Sequence, residues 1–257
     1  MSLPNRFIRR AAHPLLAFIV VSQLFVLSQL LAPGALHAQD EKLTQRVQRA
    51  GEVLAELVAV PDKAPPTELL ADATCVAVVP GVVKVGFGIG GRAGYGLASC
   101  RTDSGWSMPT FVGLKGGSFG FQIGGQSADI VLVFVNRDAS RLASSTFNLG
   151  GGASVAAGPV GRNVSAETDY KLKSEIYSYS KSKGLFAGVD ISGTKWELDY
   201  SANRKAYGDA AGGESGGDAE SVRKLLATDG GKAPEIFKPF LASLEKNVGA
   251  AGSGPKP

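Results

Sequence analysis

The chain has 257 residues, enough for one full hydrophobic core or two small ones. Glycine accounts for 34 residues, nearly twice the usual share of about 7%, while hydrophobic content is an ordinary 44%. The formal net charge is +4, but Arg6, Arg9 and Arg10 lie in the first 38 residues with no acid beside them, so the remainder carries +1. That near-neutral remainder, without a basic stripe, excludes nucleic-acid binding driven by bulk charge.

The N-terminus predicts a secretory signal over residues 1–38. A basic n-region is followed by the apolar run Leu15 to Ala32, the breaker Pro33-Gly34, and Ala35-Leu36-His37-Ala38 as a cleavage site. An uncleaved membrane anchor is the alternative, because Leu36 is larger than the small residue such sites favour. The expected location is the periplasm, peripheral to a membrane. Both histidines, His13 and His37, fall in this segment, so cleavage leaves none. Cys75 and Cys100 are the only thiols. In an oxidising compartment they suggest one disulfide, with two buried free thiols as the other reading.

Asp40 is the expected N-cap of an amphipathic helix ending before Pro61. Leu43, Val47, Ala50, Val53, Leu54, Leu57 and Val58 recur at spacings of three and four. A short helix is expected from Thr67 to Ala73. From Cys75 the period becomes strand-like. Strands are expected at Cys75 to Val79, ended by Pro80-Gly81, then at Val82 to Gly90 and Tyr95 to Arg101, joined by glycine turns. Trp106 to Leu114, Ser118 to Ile123 and Ile130 to Val135 come next. Arg137 to Phe147 is read as a helix capped by Asn136. Strands resume at Ala153 to Ala156, Glu175 to Ser180, Leu185 to Ile191 and Thr194 to Leu198. Residues 209–217 read as a flexible linker. Helices over Asp218 to Ala227 and Pro234 to Lys246 fall within a C-terminal segment, residues 218–248, that packs on the domain, and residues 249–257 form a disordered tail. No long helix separates most strands, so the fold class is α+β: a curved, mainly antiparallel glycine-rich sheet, in the limit a partial barrel, packed by N- and C-terminal helices.

Three short patterns suggest chemistry, and each lacks its context. Gly86, Gly88 and Gly91 spell a dinucleotide fingerprint, but Arg92-Ala93-Gly94-Tyr95-Gly96 resists the helix that must open there. Gly116-Gly117-Ser118-Phe119-Gly120 matches a nucleophile elbow without a histidine to serve it. Ser180-Lys181-Ser182-Lys183 contains Ser-x-x-Lys and reads more simply as a solvated polar turn. No catalytic residue, metal ligand set or cofactor is expected. Gly86 to Arg92 is echoed by Gly120 to Gln126, which suggests two similar strands in one sheet.

The cations Lys84, Arg92, Arg162, Lys181 and Lys183, with Tyr179 and Phe186, form the expected contact set for lipid headgroups and the membrane interface. A soluble basic face is the plainer reading of the same lysines. Several longer blocks carry more information. Pro80, Lys84 to Arg92, Trp106-Ser107-Met108-Pro109, Gly116 to Gly124, Asp129-Ile130-Val131, Ser154 to Arg162, Tyr179 to Val189 and Tyr207-Gly208 resemble the SYLF lipid-binding domain. The resemblance runs over about Leu43 to Gly208 and sets the domain at residues 39–208. It implies phospholipid binding without catalysis. Eukaryotic relatives bind phosphoinositides, some contact actin, and exported bacterial relatives look like envelope proteins. In some relatives an N-terminal amphipathic helix engages the membrane, a role that would fall here to residues 40–60. The expected partner is anionic phospholipid; an envelope protein is the alternative, for a structural or interaction module.

Overall fold

The computed structural model describes residues 33–135, 142–144, 146–151, 154–161, 174–182, 184–208 and 216–249. The chain divides into two compact units, residues 1–42 and 43–257, and the architecture below is that of the second. Its first helix, α1, runs Pro33–Val58 across that boundary. It therefore starts seven residues before the expected cap at Asp40. Pro33 is no obstacle there, because proline's missing N–H is already unpaired in a helix's first turn. After α2 (Thr67–Ala71) come two very long strands, β1 (Cys75–Cys100) and β2 (Thr110–Phe134). The remaining strands are β3 (Thr146–Asn148), β4 (Val155–Ala157), β5 (Ile176–Ser182), β6 (Leu185–Gly188) and β7 (Thr194–Leu198). Helices α3 (Tyr200–Tyr207), α4 (Ala219–Ala227) and α5 (Lys238–Val248) close the unit.

The main departure from expectation is continuity. Six expected strands are two. β1 and β2 pair antiparallel almost throughout, from Cys75↔Phe134 to Ala98↔Thr110. Pro80-Gly81 and the glycines are not turns but irregularities within one ladder, with register shifts at Val79/Val82 and Gly86/Gly88. Gly81 takes φ +59° at the first shift, and its N–H donates to Asp129 Oδ1 at 2.9 Å. The two echoed segments face each other across the ribbon, Gly86 opposite Gly124 and Gly88 opposite Gly120. β5 joins β2 at Asp129–Phe134 and β7 joins it at Val112–Gly116, giving the order β3-β7-β2-β5-β4 with β1 on β2 and β6 on β5. All pairings are antiparallel except β4–β5.

An extended strand of 26 residues would span roughly 85 Å. Yet the Cα atoms of Cys75 and Cys100, the two ends of β1, are 3.9 Å apart and their sulfurs are bonded. β1 therefore folds back on itself and carries β2 with it. Small side chains permit this. A Cβ placed on Gly96 would lie 1.9 Å from the Val78 carbonyl oxygen, and one on Gly94 would lie 2.7 Å from Val82 Cγ2. Cys75, Ala77, Val79, Ala98, Cys100, Val112, Leu132 and Trp196 fill the core inside the fold. The alternate residues Val76, Val78, Leu97, Phe111, Val131 and Val133 face a second core with Leu43, Val47, Leu54 and Leu57 of α1 and Phe237, Phe240 and Leu244 near the C-terminus. Burial on both faces explains why Cys75 to Val79 and Ile130 to Phe134 read as unbroken apolar runs.

Polar contacts fasten the helices. Arg49 reaches Glu52, Glu56 and, at 2.8 Å, Asp129 of β2. Arg46 pairs with Asp199, which also accepts from Ala202 N as the N-cap of α3. The half-buried Arg101 donates to the carbonyls of Leu70, Ala73, Val248 and Gly249 and lies over the Trp106 ring, so one guanidinium ties the ends of α2 and α5. α3 was not expected from the sequence. The expected helix from Arg137 to Phe147 is also corrected: residues 142–144 form a turn and Thr146–Asn148 is β3, pairing with β7, while residues 136–141 lie outside the described set. α4 starts on its Asp218 cap, one residue from the expected start.

Candidate functional site

Each half of the folded ribbon contributes a wall to one recess of about 250 Å³. Val82, Lys84, Gln126, Ser127, Ala128 and Ile130 come from one half of the β1–β2 ladder, and Arg92 and Leu114 from the other. Ser180, Val189, Asp190, Ile191 and Thr194 complete it from β5, the β6–β7 connection and the start of β7. The recess is amphipathic: Val82, Leu114, Ile130, Val189 and Ile191 supply apolar wall, and Lys84 and Arg92 supply two cations. No acid lies within ion-pair distance of either cation among the described residues. The acid in the lining, Asp190, is engaged locally, accepting from Ser192 N at 2.8 Å and Ser192 Oγ at 2.6 Å. Those two bonds, and then the Arg92 charge, hold its carboxyl below the ordinary range.

Two polar atoms here are buried without a partner, Arg92 Nε and Thr194 Oγ1. The ladder explains their placement. Arg92 is opposite Gly116 and Gly116 is opposite Thr194, so the three form one row across β1, β2 and β7. Cross-strand partners share a face of the sheet, so the arginine and the threonine flank a position with no side chain.

The expected contact residues separate into three groups. Lys84 and Arg92 are brought together at the recess. Lys181 Nζ is instead paired with Glu56 Oε2 at 2.6 Å, which neutralises it against α1. Tyr179 and Phe186 are buried, at 0% and 4% exposure, so their expected role at a membrane interface is corrected. Tyr179 donates from its hydroxyl to the Pro159 carbonyl, and burial pushes its pKa far up. The apolar stripe of α1 is likewise committed to the core, with Val47, Ala50, Val53 and Leu54 fully buried. Arg162 and Lys183 lie outside the described residues. In place of the buried aromatics, the ribbon exposes Val83 (47%) and Val85 (54%) on either side of Lys84, and the β5–β6 turn exposes Leu185 (53%).

Sequence reasoning missed Thr194 and Gly116. The signal for Thr194 was a hydroxyl at a buried position of an alternating strand, Thr194-Lys195-Trp196-Glu197-Leu198. Gly116 carried no distinguishing mark within a glycine-rich run. The three short patterns resolve as strand. Gly91 pairs with Gly117 and Ser118 with Gly90, so no helix opens at either, and Ser180 to Ser182 belongs to β5. No helix among the described residues is long and apolar enough to cross a membrane.

A folded-over β-ribbon under N- and C-terminal helices defines an α+β protein built on a mainly antiparallel sheet. The family description "Ysc84: Las17-binding protein actin regulator" matches residues 115–246, and the chain belongs to this Ysc84, or SYLF, family. It is 34% identical over 174 residues to the SH3 domain-containing YSC84-like protein 1 of Xenopus laevis, covering 65% of this chain and 52% of that protein. It is 34% identical over 192 residues to protein YSC84 of Saccharomyces cerevisiae, covering 73% and 39%. It is 35% identical over 216 residues to LAS seventeen-binding protein 3 of the same yeast, covering 80% and 45%. The chain thus spans about half or less of the length of these relatives. No solved structure matches it.

Proposed function

We propose that this protein binds anionic phospholipid reversibly and without catalysis, at the periplasmic side of a bacterial envelope membrane. The observation that carries the reading is the recess lined by Lys84 and Arg92, two cations without an ion-pair partner among the described residues, together with an apolar wall. Such a site offers charge to a phosphate and hydrocarbon contact to what adjoins it. The apolar contact that Tyr179 and Phe186 cannot supply falls to the recess's own Val82, Ile130 and Val189; the exposed Val83 and Val85 alternate to the other face of β1. The leader-like N-terminus supports export, and the Cys75–Cys100 bond suits an oxidising compartment. Liposome flotation of the protein lacking residues 1–38 tests this. Binding should require anionic lipid, weaken steeply between 50 and 200 mM salt (about one Debye length shortening from 14 to 7 Å), and be lost in Lys84→Glu/Arg92→Glu. Flotation on neutral vesicles, or indifference to salt and to the double substitution, would refute it.

The matched relatives' names favour a second reading, a protein-interaction module, since two of the names given above denote Las17 binding. A pull-down from envelope extract with Lys84→Glu/Arg92→Glu separates the two. Partners that persist when flotation is lost support the interaction module.

A further inference from the structure

We propose that the floor of this recess is a binding site for a terminal phosphate monoester, held by Arg92 and Thr194 across the bare backbone of Gly116. Thr194 is 1% exposed, yet its hydroxyl has no hydrogen-bond partner, and Arg92 Nε is equally buried and unpaired. Buried polar atoms in folded proteins are nearly always satisfied, so two unsatisfied groups in one recess point to an absent partner. Arg92 Nε can only donate and the threonine hydroxyl can donate, so the missing partner is an acceptor. Gly116 leaves Thr194 Oγ1 uncovered from its side while β7 packs close: a Cβ there would lie 3.5 Å from Thr194 Oγ1, 3.1 Å from Thr194 Cα and 3.3 Å from the Gly193 carbonyl oxygen.

The depth of the donors selects the ligand class. A phosphodiester carries carbon on two sides of phosphorus and one negative charge, so it presents two free oxygens from the middle of a chain. A monoester ends in three free oxygens and carries about −1.5 to −2 at pH 7, which matches the two cations Lys84 and Arg92. Entering end-on, it offers acceptor oxygens to Arg92 and Thr194 with carbon on one side of phosphorus only. The apolar residues Val82, Ile130 and Val189 then face the part of the ligand behind the phosphate. This deepens the lipid reading of the same recess, but the phosphate site itself requires no membrane, because a soluble phosphate monoester offers the same group.

Calorimetry on the protein lacking residues 1–38 tests it, with dioctanoyl phosphatidic acid as lipid monoester, dioctanoyl phosphatidylglycerol as diester and glycerol 3-phosphate as soluble monoester. The monoester lipid should bind about tenfold more tightly than the diester, a charge-assisted hydrogen bond's worth. That preference should fade as pH falls through about 6, where the monoester dianion takes up a proton and becomes a monoanion. Thr194→Val and Gly116→Ala should each remove most of it, with folding followed by circular dichroism. Arg92→Lys keeps the charge but loses Nε, and it carries the test if the other variants do not fold. Comparable binding of glycerol 3-phosphate would support the site with a soluble ligand; binding of phosphatidic acid alone would support it with a lipid ligand. Equal affinity for the two lipids, or a preference untouched by Thr194→Val and Arg92→Lys, overturns the proposal and assigns water to the two donors. Flotation on anionic vesicles without monoester preference sinks this site and spares the membrane reading. Monoester binding without flotation does the reverse.

Discussion

At Gly96 the ribbon's two plies touch backbone to backbone. A Cβ there would meet Val78 O at 1.9 Å and Val79 Cα at 2.6 Å, and neither can move without breaking the β1–β2 ladder. Gly96→Ala is therefore expected to cost about 3 kcal/mol or more, as overpacking against fixed backbone does, measured as a lowered urea midpoint. Gly117, with open space around its virtual Cβ, is the control: Gly117→Ala should stay within about 0.5 kcal/mol. The sequence displays both as equal members of a glycine-rich stretch. What distinguishes them is the segment 18 residues earlier that packs on Gly96, and no local pattern encodes it. Lys84 and Arg92 were legible as candidate cations by charge alone. Lys181 was equally legible and is spent on Glu56, because an acid on α1 happens to face it.

At the scale of elements, the spacing of α1 predicts an amphipathic helix, and its stripe from Leu43 to Leu57 is buried. Periodicity shows that a face is apolar; it does not show whether protein or lipid covers that face. Here β1 and the C-terminal helices cover it. The opposite edge of α1 is latched by charge, and this has a pH signature. The Arg49 hydrogen bond, then Lys181, holds the Glu56 carboxyl below its ordinary value of 4.5. A carboxylate with a depressed folded pKa stabilises fully above the unfolded value and loses that contribution as pH falls through the folded one. Stability should thus decline below about pH 4.5, and Glu56→Gln should flatten part of that decline. Because the pair is substantially solvent-exposed, the difference should be only a few tenths of a kcal/mol, roughly. Thermal melts across pH 3 to 6 read it, and identical profiles for the variant and the parent would remove the latch.

For the molecule as a whole, the disulfide closes a 25-residue span that contains the entire bend of β1. Loop closure of that length is worth about 3.5 kcal/mol through the unfolded state. Cys75→Ala/Cys100→Ala should lose about that much in urea titrations while keeping its β-rich circular dichroism. Because both cysteines are nearly inaccessible, mild reductant should act only as fast as the fold opens. Full stability in the double variant would show that the ribbon's cores alone hold the bend. By itself the sequence determined the strand alternation, the helical stripe, the Asp218 cap and the family, because each is written in neighbouring residues or in blocks of them. Tertiary structure alone decided that Pro80-Gly81 and the glycines bend one ladder instead of ending several strands, that Tyr179 and Phe186 are interior, and that Arg92 and Thr194 flank Gly116 in one row. The reason is physical: glycine permits a turn, a bulge or a close approach with equal ease. Which one forms is settled by strands and helices far away in the chain, whose pairing and burial supply the free energy that local preference lacks.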